Sequence, residues 1–123
     1  MAVVVAAAIL RDGRVLVGRR RTGPYAGRYE FPGGKVEPGE DEGAALVREC
    51  REELGVEVEV GERIGADTAI DAGVLRLFAA VTGGEPQARD HDDLRWCGAA
   101  DIDALPWIAA DRPLVDAVRS RLA

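Results

Sequence analysis

Between Gly34 and Val56 the chain reads GKVEPGEDEGAALVRECREELGV, a loop punctuated by Gly and Pro followed by an apolar set, Leu46, Val47, Cys50 and Leu54, at helical spacing. This pattern predicts a helix from about Asp41 to Leu54, with Gly55 as its C-terminal stop. At 100° per residue, Glu49, Glu52 and Glu53 share an arc of roughly 100° on one side, and the apolar set faces another. Like charges at these spacings each destabilise a helix by roughly a few tenths of a kcal/mol, and no Lys lies among them to offset it. A solvated acidic face is one reading; a cation platform is the other. The loop favours the platform, because Gly34 and Glu40 bring backbone carbonyls and a fourth carboxylate to the start of the same helix, and gathered hard oxygens suit Mg²⁺ or Mn²⁺. Mg²⁺ keeps waters and takes substrate phosphates, so such a site implies a phosphorylated ligand and a metal-activated water.

The charge is concentrated in the same place. The net charge of −6 divides into +5 over residues 1–36, −8 over residues 37–62 and −3 over the remainder. An acidic chain whose longest basic run is Arg19-Arg20-Arg21 is poorly suited to track a nucleic-acid backbone. Its longest apolar run, Ala2 to Leu10, falls far short of the roughly 20 residues that cross a bilayer and lacks the flanks of a signal peptide. The expectation is a soluble cytoplasmic protein with neither nucleic acid nor membrane as partner, monomeric or homodimeric. Fifteen of the 16 basic residues are Arg, which favours bidentate pairing with carboxylates and phosphates, although a GC-rich genome gives the same bias. Cys50 and Cys97 show no metal spacing and are expected as buried free thiols.

With 123 residues, 47% of them apolar, the chain fits one domain over residues 1–123. Val3 to Leu10 and Val15 to Arg20 read as strands joined by a turn at Asp12-Gly13. A loop follows from Arg21 to Gly27, then a short strand from Arg28 to Phe31, then a loop through Gly33, Gly34, Pro38 and Gly39. Val56 to Ile64 alternates, Val74 to Val81 and Leu94 to Cys97 are strand-like, and Arg112 to Leu122 reads as a terminal helix with Asp111 as a plausible N-cap. These elements suggest an α/β protein, a mixed sheet flanked by helices.

Gly34, Glu40, Arg48, Glu49, Glu52, Glu53, Gly55 and Val56 fall in register with the Nudix box, G-x5-E-x7-R-E-U-x-E-E-x-G-U, where U is a bulky aliphatic residue. Cys50 at the first U position is a mild departure, since Cys behaves as a small buried hydrophobe. The whole chain resembles the MutT-like branch of the Nudix hydrolases, including Glu30-Phe31-Pro32-Gly33-Gly34-Lys35 before the box and the region from Trp96 to Val118. Within that branch it looks most like bacterial CTP pyrophosphohydrolases and 8-oxo-dGTP diphosphatases. The resemblance implies the Nudix fold, a mixed β-sheet sandwiched between α-helices. It also implies a Mg²⁺-dependent hydrolase, with Mn²⁺ as a possible substitute, that acts on nucleoside triphosphates such as 8-oxo-dGTP or (d)CTP and its modified forms. The products are a nucleoside monophosphate and pyrophosphate, and the role is nucleotide-pool sanitation. An ADP-sugar or dinucleoside polyphosphate hydrolase is an alternative that the short chain disfavours. A non-catalytic nucleotide-sensing module is another, disfavoured by the complete set of box carboxylates.

Carried over by position, the resemblance makes Glu52 and Glu53 the main metal ligands, helped by the Gly33 carbonyl. It makes Glu49 a ligand or general base, Glu40 a supporting carboxylate, and Arg48 the residue that orients the catalytic glutamate. An acid or His from outside the box often assists as base or ligand; Asp90, His91, Asp92 and Asp93 are the candidates, with an exposed loop histidine as the alternative for His91. Arg20 lies where an arginine contacts the nucleotide, or else is an exposed strand-end charge. Asp111 falls where the family places the Asn or Asp that reads the base. Its acceptor carboxylate suits an amino group such as cytosine N4 or a guanine-type N–H, and MutT itself has Asn there. Phe31 and Trp107 either stack on the base or belong to the core. Tyr29 replaces the family's usual Trp.

Overall fold

The computed structural model describes residues 1–71 and 73–123. Strand β1 (Ala2–Arg11) leads through a two-residue turn into β2 (Arg14–Arg20). Asp12 and Gly13 take φ of 53° and 75°, the left-handed pair that matches the twist of a tight hairpin and that Asp-Gly sequences adopt at low cost. Short strands β3 (Tyr29–Glu30) and β4 (Gly33–Lys35) precede helix α1 (Glu42–Leu54). Then come β5 (Glu59–Ile70), β6 (Gly73–Val81), β7 (His91–Cys97), a 3-10 turn (Ile102–Ala104) and helix α2 (Arg112–Arg119).

The central strand β1 pairs parallel with β6 and antiparallel with β2 and β4, so the sheet is mixed, with the order β3-β2-β1-β6-β5; β7 pairs with β2. Alternation along β1 separates two cores. Val5, Ala7 and Ile9 face α1 and meet Leu46, Cys50 and Leu54, while Ala6 and Ala8 face the other side with Leu77, Leu114, Val115 and Val118. Each large side chain so buried contributes roughly 1.5–3 kcal/mol. The sheet therefore lies between the two helices, as expected, and both cysteines are buried free thiols. Among the described residues no helix is long and apolar enough to cross a membrane.

Four local expectations change. Gly33 to Lys35 is a strand, not loop, because Gly33 passes so close to β1 that a Cβ would stand 2.7 Å from the Ala6 Cα. The strand expected at Val56 to Ile64 begins at Glu59 and continues to Ile70: Val56 and Val58 are used to cover α1, and Gly65, at φ 71°, lies where the pairing with β6 slips. Helix α2 ends at Arg119, after which Arg121 and Leu122 donate i→i−3 bonds in a tightening turn. Asp111 makes no side-chain cap to α2 among the described residues; its carboxylate is used elsewhere.

Candidate functional site

Helix α1 starts where expected, with Asp41 accepting from the Ala44 N–H at 3.2 Å, and stops at Gly55, φ 68°, whose N–H bonds to the Arg51 carbonyl. Its acidic face looks across β4. Gly34 makes room for it, since a Cβ there would lie 2.6 Å from Glu49 Oε1. The Gly33 N–H donates to Glu53 Oε2 at 3.3 Å.

Arg48 ties this face together. Its Nε and Nη2 donate to Glu40 Oε2 and Oε1 at 2.8 and 2.9 Å, its Nη1 to Glu49 Oε1 at 2.8 Å, and its Nη2 also to the Lys35 carbonyl at 3.1 Å. Such a fork fixes a carboxylate in orientation as well as position. Glu40 is spent on this grip: the Arg48 guanidinium, with the Glu37 N–H, holds its carboxyl down at about 2. Glu40 thus anchors Arg48, and the structure does not gather it with Glu49 and Glu53 as a ligand. Glu52 is 59% exposed and its nearest cation is Arg48 at 3.5 Å, so it is free to turn toward an arriving ligand.

Glu53 is 7% exposed and is pushed up to about 9, first by burial and then by the charges of Glu30 and Glu49; the Gly33 N–H opposes this only in part. Three carboxylates, Glu30, Glu49 and Glu53, crowd one polar pocket, which disfavours the charged form of the buried Glu53. That crowding of hard oxygen donors fits a divalent cation; ligand atoms of Glu30, Glu53 and His91 lie within 4.8 Å of one another, with Glu30 and His91 turned toward each other.

Glu30 escaped the sequence reading of the site. It accepts from Arg20 Nη2 at 3.0 Å through Oε1 and lies 3.0 Å from His91 Nε2 through Oε2. Burial raises its carboxyl, but those two hydrogen bonds outweigh burial and hold it below its ordinary value. One signal was present. Residues 1–36 hold two acids, and Asp12 is explained by its turn, which leaves Glu30 as the unexplained acid of a basic segment. His91 is not an exposed loop residue: it opens β7 and is 2% exposed. Asp90 lies beside it, exposed and lining the same polar cavity. Asp92 and Asp93 do not join them, because Asp92 accepts from Arg19 at 2.6 Å and Asp93 from the Tyr29 hydroxyl at 2.5 Å and from Arg95.

Two cavities meet at this point. The polar one, about 260 Å³, is bounded by Glu49, Glu53, Asp90, His91 and Arg21. The apolar one, about 410 Å³, is lined by Val4, Ala6, Phe31, Leu75 and Ile108, with Asp111 among them. Arg20, Glu30 and Gly33 line both. Asp111 accepts the Phe31 N–H through Oδ2 at 2.9 Å, which leaves Oδ1 for a ligand; burial pushes the acid up to about 7. Trp107 does not line the cavity. It backs Phe31 from the core, ring centroids 5.0 Å apart, with its Nε1–H bonded to the Ile102 carbonyl.

Residues 1–118 match the family described as the NUDIX domain. A Mycobacterium tuberculosis protein named "Putative 8-oxo-dGTP diphosphatase 2" is 50% identical over 116 residues, which cover 89% of this chain and 82% of that one. The CTP pyrophosphohydrolase of Escherichia coli K12 is 42% identical over 119 residues, covering 93% and 88%. The crystal structure of a MutT Nudix hydrolase from Burkholderia pseudomallei superposes with a TM-score of 0.79 at 32% identity, over 95% of this chain and 97% of that one. The glycine-framed carboxylate helix thus has its relatives, and this chain belongs to the Nudix hydrolase superfamily, in its MutT-like branch.

Proposed function

We propose that the protein is a cytoplasmic, Mg²⁺-dependent nucleoside triphosphate pyrophosphohydrolase that removes modified or surplus nucleotides of the 8-oxo-dGTP or (d)CTP type. The observation that carries this is the pair of joined cavities. The apolar one is of nucleoside size and ends on a carboxylate; the polar one is walled by carboxylates; and Arg20 stands in the wall between them. A nucleoside in the first places its phosphates at the second. Relatives named for 8-oxo-dGTP and CTP support the same substrate class.

Glu49, Glu52 and Glu53, with the Gly33 carbonyl, would hold the cation. When bound, it neutralises phosphate oxygens and makes a water more acidic. Arg48 fixes Glu49 so that one carboxylate oxygen is aimed and the other stays available to accept the proton of the attacking water. The new P–O bond forms to that water as the bond between the attacked phosphorus and the oxygen bridging the α- and β-phosphates breaks, that oxygen leaving with the other phosphate product, and Arg20 offsets charge on the phosphates. In the apolar cavity, Phe31 supplies a face for the base, and the Asp111 Oδ1 accepts from an exocyclic amino group or ring N–H.

A substrate panel tests this: (d)NTPs, their oxidised and methylated analogues, ADP-ribose and diadenosine polyphosphates, each with Mg²⁺ and with Mn²⁺. Pyrophosphate and nucleoside monophosphate from one class of triphosphate is the expected result. Turnover confined to ADP-ribose or the dinucleotides would overturn the assignment, as would nucleotide binding without any turnover.

A further inference from the structure

The wall shared by the two cavities contains a chain of three side chains, Arg20, Glu30 and His91. Glu30 is 14% exposed and uses both carboxylate oxygens, Oε1 toward Arg20 and Oε2 toward His91, each at 3.0 Å. A carboxylate only accepts, so Nε2 of His91 carries the hydrogen. The other ring nitrogen, Nδ1, is buried and has no hydrogen-bond partner among the described residues. Neither nitrogen is therefore presented to a water. The ring cannot swing toward β2 either, because it sits on Gly18, where a Cβ would come within 2.6 Å of the imidazole. His91 has the surroundings of a fixed strut.

Arg20 is the movable member, its side chain 44% exposed. A half-exposed arginine samples many rotamers unless one nitrogen is tied down. Glu30 takes one of its five donors and leaves the others for a phosphate.

Resting on the pyrophosphohydrolase reading, we propose that Glu30 and His91 are positioning residues: His91 braces the Glu30 carboxylate, and Glu30 holds the Arg20 guanidinium in the wall where the substrate's phosphates cross from the nucleoside cavity to the carboxylate compartment. Arg20 touches substrate; Glu30 and His91 act through it. Nothing in the linear order announces the trio, since Glu30 and His91 are 61 residues apart.

The test is a mutant cycle with steady-state kinetics on the best triphosphate substrate. Glu30→Gln raises KM about tenfold and leaves kcat within about threefold, by the arithmetic of binding lost equally from ground and transition states. In an Arg20→Ala background, Glu30→Gln adds less than about twofold. His91→Asn reproduces the KM effect. The Arg20 guanidinium Nη resonances, observed by NMR without substrate, move to the free-arginine position in Glu30→Gln and in His91→Asn while the amide spectrum of each variant stays dispersed as in the folded wild type. Additive effects of Glu30→Gln and Arg20→Ala, a fall in kcat at unchanged KM, or an unmoved Arg20 resonance would overturn the proposal. A wild-type protein that releases no pyrophosphate from any triphosphate would instead overturn the reading it rests on.

Discussion

Gly34 and Glu49 are in contact across the β4–α1 junction, so close that a methyl group on Gly34 would lie 2.6 Å from Glu49 Oε1. The glycine keeps this carboxylate where Arg48 can hold it. Gly34→Ala is predicted to leave the fold intact, because the obstructed atoms belong to the end of a side chain, and to lower kcat by about a hundredfold, the scale for a catalytic group displaced by about 1 Å. Circular dichroism and kcat on one sample check both halves.

Arg48 and Glu40 form a single unit, two donors on two acceptors, and the same guanidinium donates to Glu49; under the proposed function this unit orients Glu49. Glu40→Gln should lower kcat by about 10- to 100-fold, as removal of an orienting partner typically does. Arg48→Lys, which cannot reproduce the fork, should do likewise. The double variant should be little worse than either single one, and kcat for the three proteins decides whether the effects are shared.

Much of this was written in the linear sequence because the cues are local. The Asp12-Gly13 turn, the helix start near Asp41, the stripe of Leu46, Cys50 and Leu54 and the arc of glutamates all depend on neighbours within a few positions. The missed parts are long-range. Asp111 has the right residue type and position for a helix cap, yet its carboxylate bonds to Phe31, 80 residues away. Gly33 to Lys35 looks like a loop until β1 is placed beside it. Asp90, His91, Asp92 and Asp93 are equal candidates as a string, and only the pairing of β7 with β2 sorts His91 inward and Asp92 toward Arg19.

Metal-free protein should lose stability as pH rises. Glu53 is raised to about 9 by burial and by its acidic neighbours, so the folded state retains a proton that the unfolded chain gives up at the ordinary carboxylate value. Stability associated with that proton is complete below the unfolded value, near 4.5, and is lost as pH climbs through about 9. Tm in the presence of a chelator should therefore fall between pH 5 and pH 9. Glu53→Gln should flatten most of that slope, and added Mg²⁺ should raise Tm more at the alkaline end; a chelator-independent, flat Tm would contradict this.

Asp111→Asn should alter which base is preferred more than it alters the rate on the best substrate. Asn can still accept the Phe31 N–H through its carbonyl, but it then presents an N–H₂ donor to the cavity in place of an acceptor. An unchanged ranking of cytosine-type and oxidised-guanine-type triphosphates, measured as kcat/KM across the panel, would show that Asp111 does not read the base.

The most direct test of the central claim is product analysis in ¹⁸O-labelled water with the wild type, Glu52→Gln and Glu53→Gln. A single ¹⁸O, carried by either the monophosphate or the pyrophosphate, shows which phosphorus the water attacks. The account predicts nucleoside monophosphate and pyrophosphate as the only products, formed at rates lower by orders of magnitude in both variants, with each variant folded by circular dichroism. Inorganic phosphate as the product, or wild-type rates in either variant, would contradict it.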